Sequence, residues 1–186
     1  MRIVGGRLRG RALAAPKSQS IRPTADRLRE SLFNILAHAY ADPVTGARVL
    51  DLFAGTGALG LEAISRGAAF AQFVDDGVEA RALQRQSVEA LGLAAITKIY
   101  RRDATKLGPV HPEKPFSLVF LDPPYGKGFA EQALASARNG GWLTDDALVV
   151  VEEEAGAFKT PEGFEELERR KYDDTEFTLL RLLPPE

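Results

Sequence analysis

Among the chain's 186 residues there is no cysteine. That excludes disulfides, thiolate metal sites and any covalent mechanism that attacks a substrate through sulfur. Histidine is nearly as scarce: His38 and His111 each stand alone in the sequence, so no metal centre is expected. No apolar run approaches the roughly 18 residues of a membrane span. The opening "MRIVGGRLRGRAL" lacks the apolar core and small-residue cleavage site of a secretory signal. A cytoplasmic chain without membrane contact is therefore expected. With 45% hydrophobic and 27% charged residues, it has the composition of one globular domain.

The formal net charge of -2 hides a gradient. Residues 1–30 carry eight basic side chains against Asp26 and Glu30, a balance of +6, and seven of the eight are arginine. Residues 31–144 balance to zero, and from 145 onward the balance is -8. An arginine-rich arm on a near-neutral body suits a phosphate backbone, because guanidinium groups contact phosphate bidentately and binding releases counterions. Nucleic acid is the partner this pattern favours over a merely solvated charged segment.

Residues 1–13 alternate loosely, with glycines and arginines between Ile3, Val4, Leu8 and Leu13, which predicts a short hairpin. Thr24 is placed to cap a helix whose Leu28, Leu32, Ile35, Leu36 and Ala39 share one face. From residue 47 short apolar runs alternate with helical patterns, the signature of a parallel sheet covered on both faces. "ARVLDLF", "FAQFVD", "ITKIYRR", "SLVFLD" and "ALVVVEE" read as five strands. "ALGLEAISRG", "VEARALQRQSVEALG" and residues 129–139 read as helices stopped by glycine. "FEELERRKYDDTEFTLLRLL" reads as an antiparallel pair turning near Asp173, Asp174 and Thr175. The predicted fold is α/β, doubly wound and Rossmann-like: a mostly parallel seven-stranded sheet with an antiparallel C-terminal edge pair and a hairpin-plus-helix extension.

In such sheets ligands bind beyond the carboxyl ends of the strands. Asp51, Asp75, Asp103 and Asp122 stand at or just past the ends of the first four. Gly55, Gly57 and Gly60 match the G-x-G-x-x-G of dinucleotide sites, so NAD must be weighed against S-adenosylmethionine. A carboxylate at Asp51, just before the loop, would repel a pyrophosphate but pair with an ammonium, which favours the sulfonium cofactor. Asp75 could accept from ribose hydroxyls in either nucleotide. Asp103 could accept an adenine amino group while Ala104 donates a backbone N–H. Asp76, three residues before Glu79, is read as an N-cap.

"VFLDPPYGKG" carries the chemistry. Two prolines fix the backbone after Asp122 and remove two donors, leaving the Asp122 carboxylate and the Pro123 carbonyl as acceptors beside Tyr125. An exocyclic base amine fits two acceptors and a flat ring. Accepting both its protons draws the nitrogen toward tetrahedral geometry and directs its lone pair. Tyr125 would stack on the base, and Asp122 need receive a proton only late.

With both motifs identified, the chain resembles the class I S-adenosylmethionine-dependent amino-methyltransferases. More specifically, it resembles the RsmD family, bacterial enzymes that methylate the N2 amine of a guanine in 16S ribosomal RNA. The likeness runs through "IVGGRLRGR", "IRPTADRLRESLFNIL", "DLFAGTGALGLEAISRGA", the fourth-strand motif and "GWLTDDALVVVE". It implies that Asp51, Phe53, Gly55, Gly57, Asp75, Asp103 and Ala104 line the S-adenosylmethionine site, and that Asp122, Pro123 and Tyr125 hold the guanine. It further implies that Arg7, Arg9, Arg11, Arg22, Arg27 and Arg29 face RNA. Residues 1–45 would form the RNA-binding extension and 46–186 the catalytic core of one domain. The expected partner is 16S ribosomal RNA or the small ribosomal subunit, and the expected state a monomer. Asp75 replaces the glutamate of many relatives, and Tyr125 can be phenylalanine in the family, which predicts a dispensable hydroxyl. The competing readings are a DNA adenine-N6 or cytosine-N4 methyltransferase, a non-catalytic RNA-binding module and an NAD oxidoreductase.

Overall fold

The computed structural model describes residues 1–18, 21 and 25–185. The apolar runs form β1 (Arg48–Leu52), β2 (Phe70–Asp75), β3 (Thr97–Arg101), β4 (Phe116–Leu121) and β5 (Leu143–Glu154), followed by β6 (Phe164–Tyr172) and β7 (Thr175–Leu182). The seven strands make one sheet in the order β3-β2-β1-β4-β5-β7-β6. The first five run parallel, and β7 lies antiparallel between β5 and β6. This is the doubly wound sheet with an antiparallel edge pair that the sequence predicts. β5 begins earlier than its apolar run, at Leu143, because Phe116 pairs there before the register shifts to Leu118 opposite Leu148.

Side chains alternate across the pleat, so Val49 and Asp51 point to one face while Leu50 and Leu52 point to the other. The first face is covered by α1 (Asp26–Ala39), α2 (Ala58–Ser65) and α3 (Val78–Leu91), and the second by α4 (Phe129–Asn139). In α1 a buried stripe of Arg29, Leu32, Phe33, Ile35 and Leu36 faces the sheet, the spacing of a 3.6-residue helix. Ala25 flanks its start without a side-chain cap. Thr24, expected as that cap, lies outside the described residues, as does Arg22. All eight residues of α2 are buried. Gly92 ends α3 in the left-handed region at φ 70°, as its sequence predicts.

The predicted N-terminal hairpin closes with one antiparallel bridge, Arg2 to Ala12. Ile3 and Leu13 are buried in the same apolar cluster as α1 and α2. The arm is therefore packed onto the first face of the sheet. Chain connections leave β1 and β4 toward opposite edges, so a crevice opens beyond their carboxyl ends. Asp51 aligns with Phe120 and Leu52 with Leu121, which brings Asp122 to the same rim.

Candidate active site

A cavity of about 620 Å³ opens at that rim, and its lining includes Asp51, Phe53, Gly55, Asp75, Asp122 and Tyr125. The turn that builds it is tight. Phe53 takes φ 55°, a left-handed conformation uncommon for a bulky side chain, and Gly55 and Gly57 follow at 55° and 82°. Gly60 serves a different end: a Cβ there would lie 2.5 Å from the Phe73 ring, so its absence lets α2 settle onto β2.

Asp51 is 1% exposed, and its Oδ2 accepts the Gly60 N–H at 3.0 Å, one of the donors left unsatisfied at the start of α2. Burial pushes its carboxyl well above the ordinary value against the pull of that N–H, and Asp122 and Asp75 push it further. Asp75 spans the glycine loop: its two oxygens accept the Gly55 and Gly77 N–H groups, each at 2.9 Å. Burial raises its carboxyl too, with those two bonds opposing. Gln84 Nε2 donates to the Gly55 carbonyl at 2.9 Å and fixes the loop from α3. Asp51, Asp75, Asp76, Glu79 and Asp122 thus line one cleft, and burial makes Asp51 and Asp75 resist ionisation. Such a site fits a ligand that brings positive charge and rejects a pyrophosphate, which argues against the dinucleotide reading.

Across the crevice, the Asp122 N–H donates to the Leu52 carbonyl at 3.4 Å, extending the ladder one residue past β4. Pro123, Pro124 and Tyr125 border the cavity. The Tyr125 hydroxyl hydrogen-bonds the Thr175 hydroxyl, and the Gly126 N–H donates to Glu153 Oε1 at 3.0 Å. Phe53 stacks on Phe129 with ring centroids 6.5 Å apart and planes 12° apart, joining the glycine loop to α4.

Comparison with known proteins accords with this arrangement. A family described as "Conserved hypothetical protein 95" matches residues 1–181. "Ribosomal RNA small subunit methyltransferase D" of Escherichia coli (strain K12) is 41% identical over 156 residues, covering 83% of this chain and 75% of that protein. Its namesake in Haemophilus influenzae is 35% identical over 83% of this chain and 79% of that protein. The solved structure of yhhF from Escherichia coli superposes with a TM-score of 0.83 at 32% identity, covering 100% of this chain and 99% of that chain. The chain belongs to the RsmD family. It has the Rossmann-like fold of S-adenosylmethionine-dependent methyltransferases.

Several residues expected to serve the RsmD-family site fall elsewhere. Asp103 is engaged locally: its Oδ1 accepts the Thr105 hydroxyl at 2.7 Å and the Thr105 N–H at 2.9 Å, bonds that hold its carboxyl below the ordinary value. Ala104 is buried in the apolar cluster on the second face, and neither residue lines the cavity. Asp76 does not cap α3. Gly77 occupies the N-cap position, which puts Glu79 second rather than third in the helix and breaks the reciprocal geometry a capping box requires. Asp76 lines the cavity instead. The Glu79 carboxylate accepts the Lys17 and Ser18 N–H groups, each at 3.2 Å.

The basic arm divides as well. Arg7, Arg9, Arg11 and Arg27 are exposed, with Arg11 donating to the Ala90 carbonyl at 2.9 Å. Arg29, expected to face RNA, is 0% exposed and ion-paired to Glu62 at 3.0 Å and to Asp26 at 2.9 Å. It also donates to the Arg2 carbonyl. Glu62 is the residue sequence reasoning missed. Wholly buried in α2, its carboxylate accepts the Val4 and Gly5 N–H groups at 2.9 Å and pairs with Arg66 at 2.8 Å. A single acid inside the otherwise apolar "ALGLEAIS" was the available signal. Among the described residues, no cluster of three or more His, Asp or Glu is arranged to hold a metal ion, and no helix is long and apolar enough to cross a membrane.

Proposed function

We propose that this RsmD-family chain is a ribosomal RNA methyltransferase that delivers the methyl group of S-adenosylmethionine to the exocyclic N2 amine of a guanine in 16S ribosomal RNA. One observation carries the reading. The Asp122-Pro123-Pro124-Tyr125 turn borders the same cavity as the buried, hard-to-ionise Asp51, so an amine acceptor and a cation partner share one cleft. The names of the Escherichia coli and Haemophilus influenzae relatives support the substrate class.

S-adenosylmethionine supplies an electrophilic methyl group on a sulfonium. Asp51 would hold its ammonium, and Asp75 keeps lone pairs for the ribose hydroxyls after accepting two backbone N–H groups. Asp76, Gly77 and Val78 line the cavity on the Asp75 side and suit the adenine better than Asp103 and Ala104 do. Val78 is 68% exposed, an apolar surface that a flat ring would cover. The Asp122 carboxylate and Pro123 carbonyl would accept the two protons of the guanine amine. Tyr125 would stack on the base, a contact worth roughly 1–3 kcal/mol. Once methylated, the nitrogen is cationic and its two protons are strongly acidic, so Asp122 or a water beside it suffices to take one of them and leave the neutral methylamine. The test is methylation by the purified chain of 16S ribosomal RNA, or of small subunits, from cells lacking the enzyme, followed by nucleoside analysis. A new N2-methylguanosine supports the reading; methyl on adenine or cytosine amines, or none, removes it.

The raised Asp51 and Asp75 carboxyls predict proton linkage. Below about pH 4, the ordinary aspartate value, they are protonated in folded and unfolded chains alike. As pH rises through their raised values, the ligand-free fold must hold those protons or bury charge, and it loses stability. An ammonium in the cleft offsets that loss. The stabilisation conferred by S-adenosylmethionine should therefore grow from pH 4 toward neutrality, and binding should release protons. Calorimetry in buffers of different ionisation enthalpy reads the release directly; a pH-independent shift in melting temperature would contradict it.

The exposed arginines predict salt dependence. Replacing Arg7, Arg9 and Arg11 together should weaken RNA binding and flatten the plot of log affinity against log salt by about 2, if each contacts one phosphate of a single strand. An unchanged slope would remove the arm from the RNA interface.

A further inference from the structure

The loop that carries Tyr125 is poor in backbone donors. Pro123 and Pro124 lack N–H groups, and Gly126 and Gly128 sit at φ 72° and 73°. Two neighbouring strands restrain it. Glu153, buried near the end of β5, accepts the Gly126 N–H at 3.0 Å. Thr175, 6% exposed at the start of β7 and in register with Glu154, hydrogen-bonds the Tyr125 hydroxyl. The antiparallel edge pair thus reaches the rim of the cleft through the Thr175 hydroxyl.

We infer that Thr175 is a positioning residue for methyl transfer, fixing the plane of the Tyr125 ring before the base arrives. The inference rests on the reading of Tyr125 as the ring that stacks on the target guanine. The phenol sits on a loop followed by left-handed glycines, and the hydroxyl pair fixes the far end of its ring. The ring plane sets the plane of the base, and the base plane sets the direction of the amine lone pair. Without the Thr175 hydroxyl the ring can still stack, but over a wider range of tilt. The Tyr125 hydroxyl then has a purpose, contrary to its expected dispensability, although phenylalanine would preserve the stacking face.

Steady-state kinetics on 16S ribosomal RNA with Thr175→Val, Tyr125→Phe, the double variant and Thr175→Ser test this. Valine keeps the shape of threonine and removes only the hydroxyl function. Each single variant should lower kcat about tenfold, well inside the roughly hundredfold that an ångström of misplacement costs. KM for S-adenosylmethionine should stay within about twofold, since Thr175 lies outside the cavity lining. The double variant should be no worse than either single, because both remove one shared bond. Thr175→Ser should recover most of the activity. Additive losses, a serine variant as impaired as valine, a parallel rise in the cofactor KM, or single variants as active as the parent would each overturn the role. A parent chain inactive on RNA would instead overturn the functional reading, and this role with it.

Discussion

Replacing Asp122 by alanine is expected to slow single-turnover methyl transfer to RNA by roughly 10²- to 10⁴-fold while leaving cofactor affinity within a few fold. Asp122 is the first residue past β4, tied by its N–H to the Leu52 carbonyl and followed by two residues that cannot donate. Truncation leaves the Pro123 carbonyl as the only acceptor for an amine with two protons. The nitrogen would then stay flat and conjugated with the ring. Cofactor binding should survive for an electrostatic reason. Asp122 is one of two neighbouring acids that hinder ionisation of Asp51, so removing it makes Asp51 a readier partner for an ammonium. Asp122→Asn should fall between alanine and the parent, because it keeps one acceptor oxygen but presents an amide donor to another donor. Methyl incorporation measured beside calorimetric titration with S-adenosylmethionine separates the two effects. Near-parental turnover in the alanine variant would mean that some other group holds the amine.

Glu62→Ala carries the largest expected loss of stability. The substitution removes the wholly buried acid that faces Arg29, itself 0% exposed. It also orphans the Val4 and Gly5 N–H groups. Breaking a buried ion pair from one side costs about 3–5 kcal/mol, because the surviving charge stays buried. For a chain of this size that corresponds to a fall in melting temperature of roughly 10 °C. Changing Glu62 and Arg29 together to leucine should cost less than the two single changes summed, since neither wholly buried charge is left facing the other's vacancy, while Arg66 and Asp26 are partly exposed. Urea unfolding of the three variants measures this. A Glu62→Ala penalty below about 1 kcal/mol would mean that water reaches Arg29 and that the arm is loosely held.

Much of this was legible from residue order, for a physical reason. Strands buried on both faces read as continuous apolar runs, so β1, β2 and β4 were found nearly to the residue. The acids at their tips were visible because an aspartate directly after such a run can only be at the rim. Arg29 was misassigned because charge was weighed above position. It falls three and four residues before Leu32 and Phe33, on the apolar stripe of α1, and that spacing alone predicts burial. Asp76 was misassigned by one residue, the margin within which helix starts are read from sequence. The Asp103 contacts turn on a local competition: the Thr105 hydroxyl two residues later offers a nearer partner than any ligand. The Tyr125–Thr175 bond joins residues 50 apart through strand order, and no local pattern encodes that order.

The close fit of the arm has a practical consequence. Gly6 lies so near the end of α2 that a Cβ there would come within 2.0 Å of the Ser65 carbonyl, and the Ser65 hydroxyl donates to the Gly5 carbonyl. The helix clasped in this way begins at Ala58, with Gly57 of the glycine loop as its N-cap. An engineer who wished to graft the N-terminal arm of one homologue onto the sheet of another could not cut at a convenient linker. The Gly-Gly pair, Glu62, Ser65 and Arg29 would have to travel as one inherited block, and a chimaera that split them should precipitate rather than change its target.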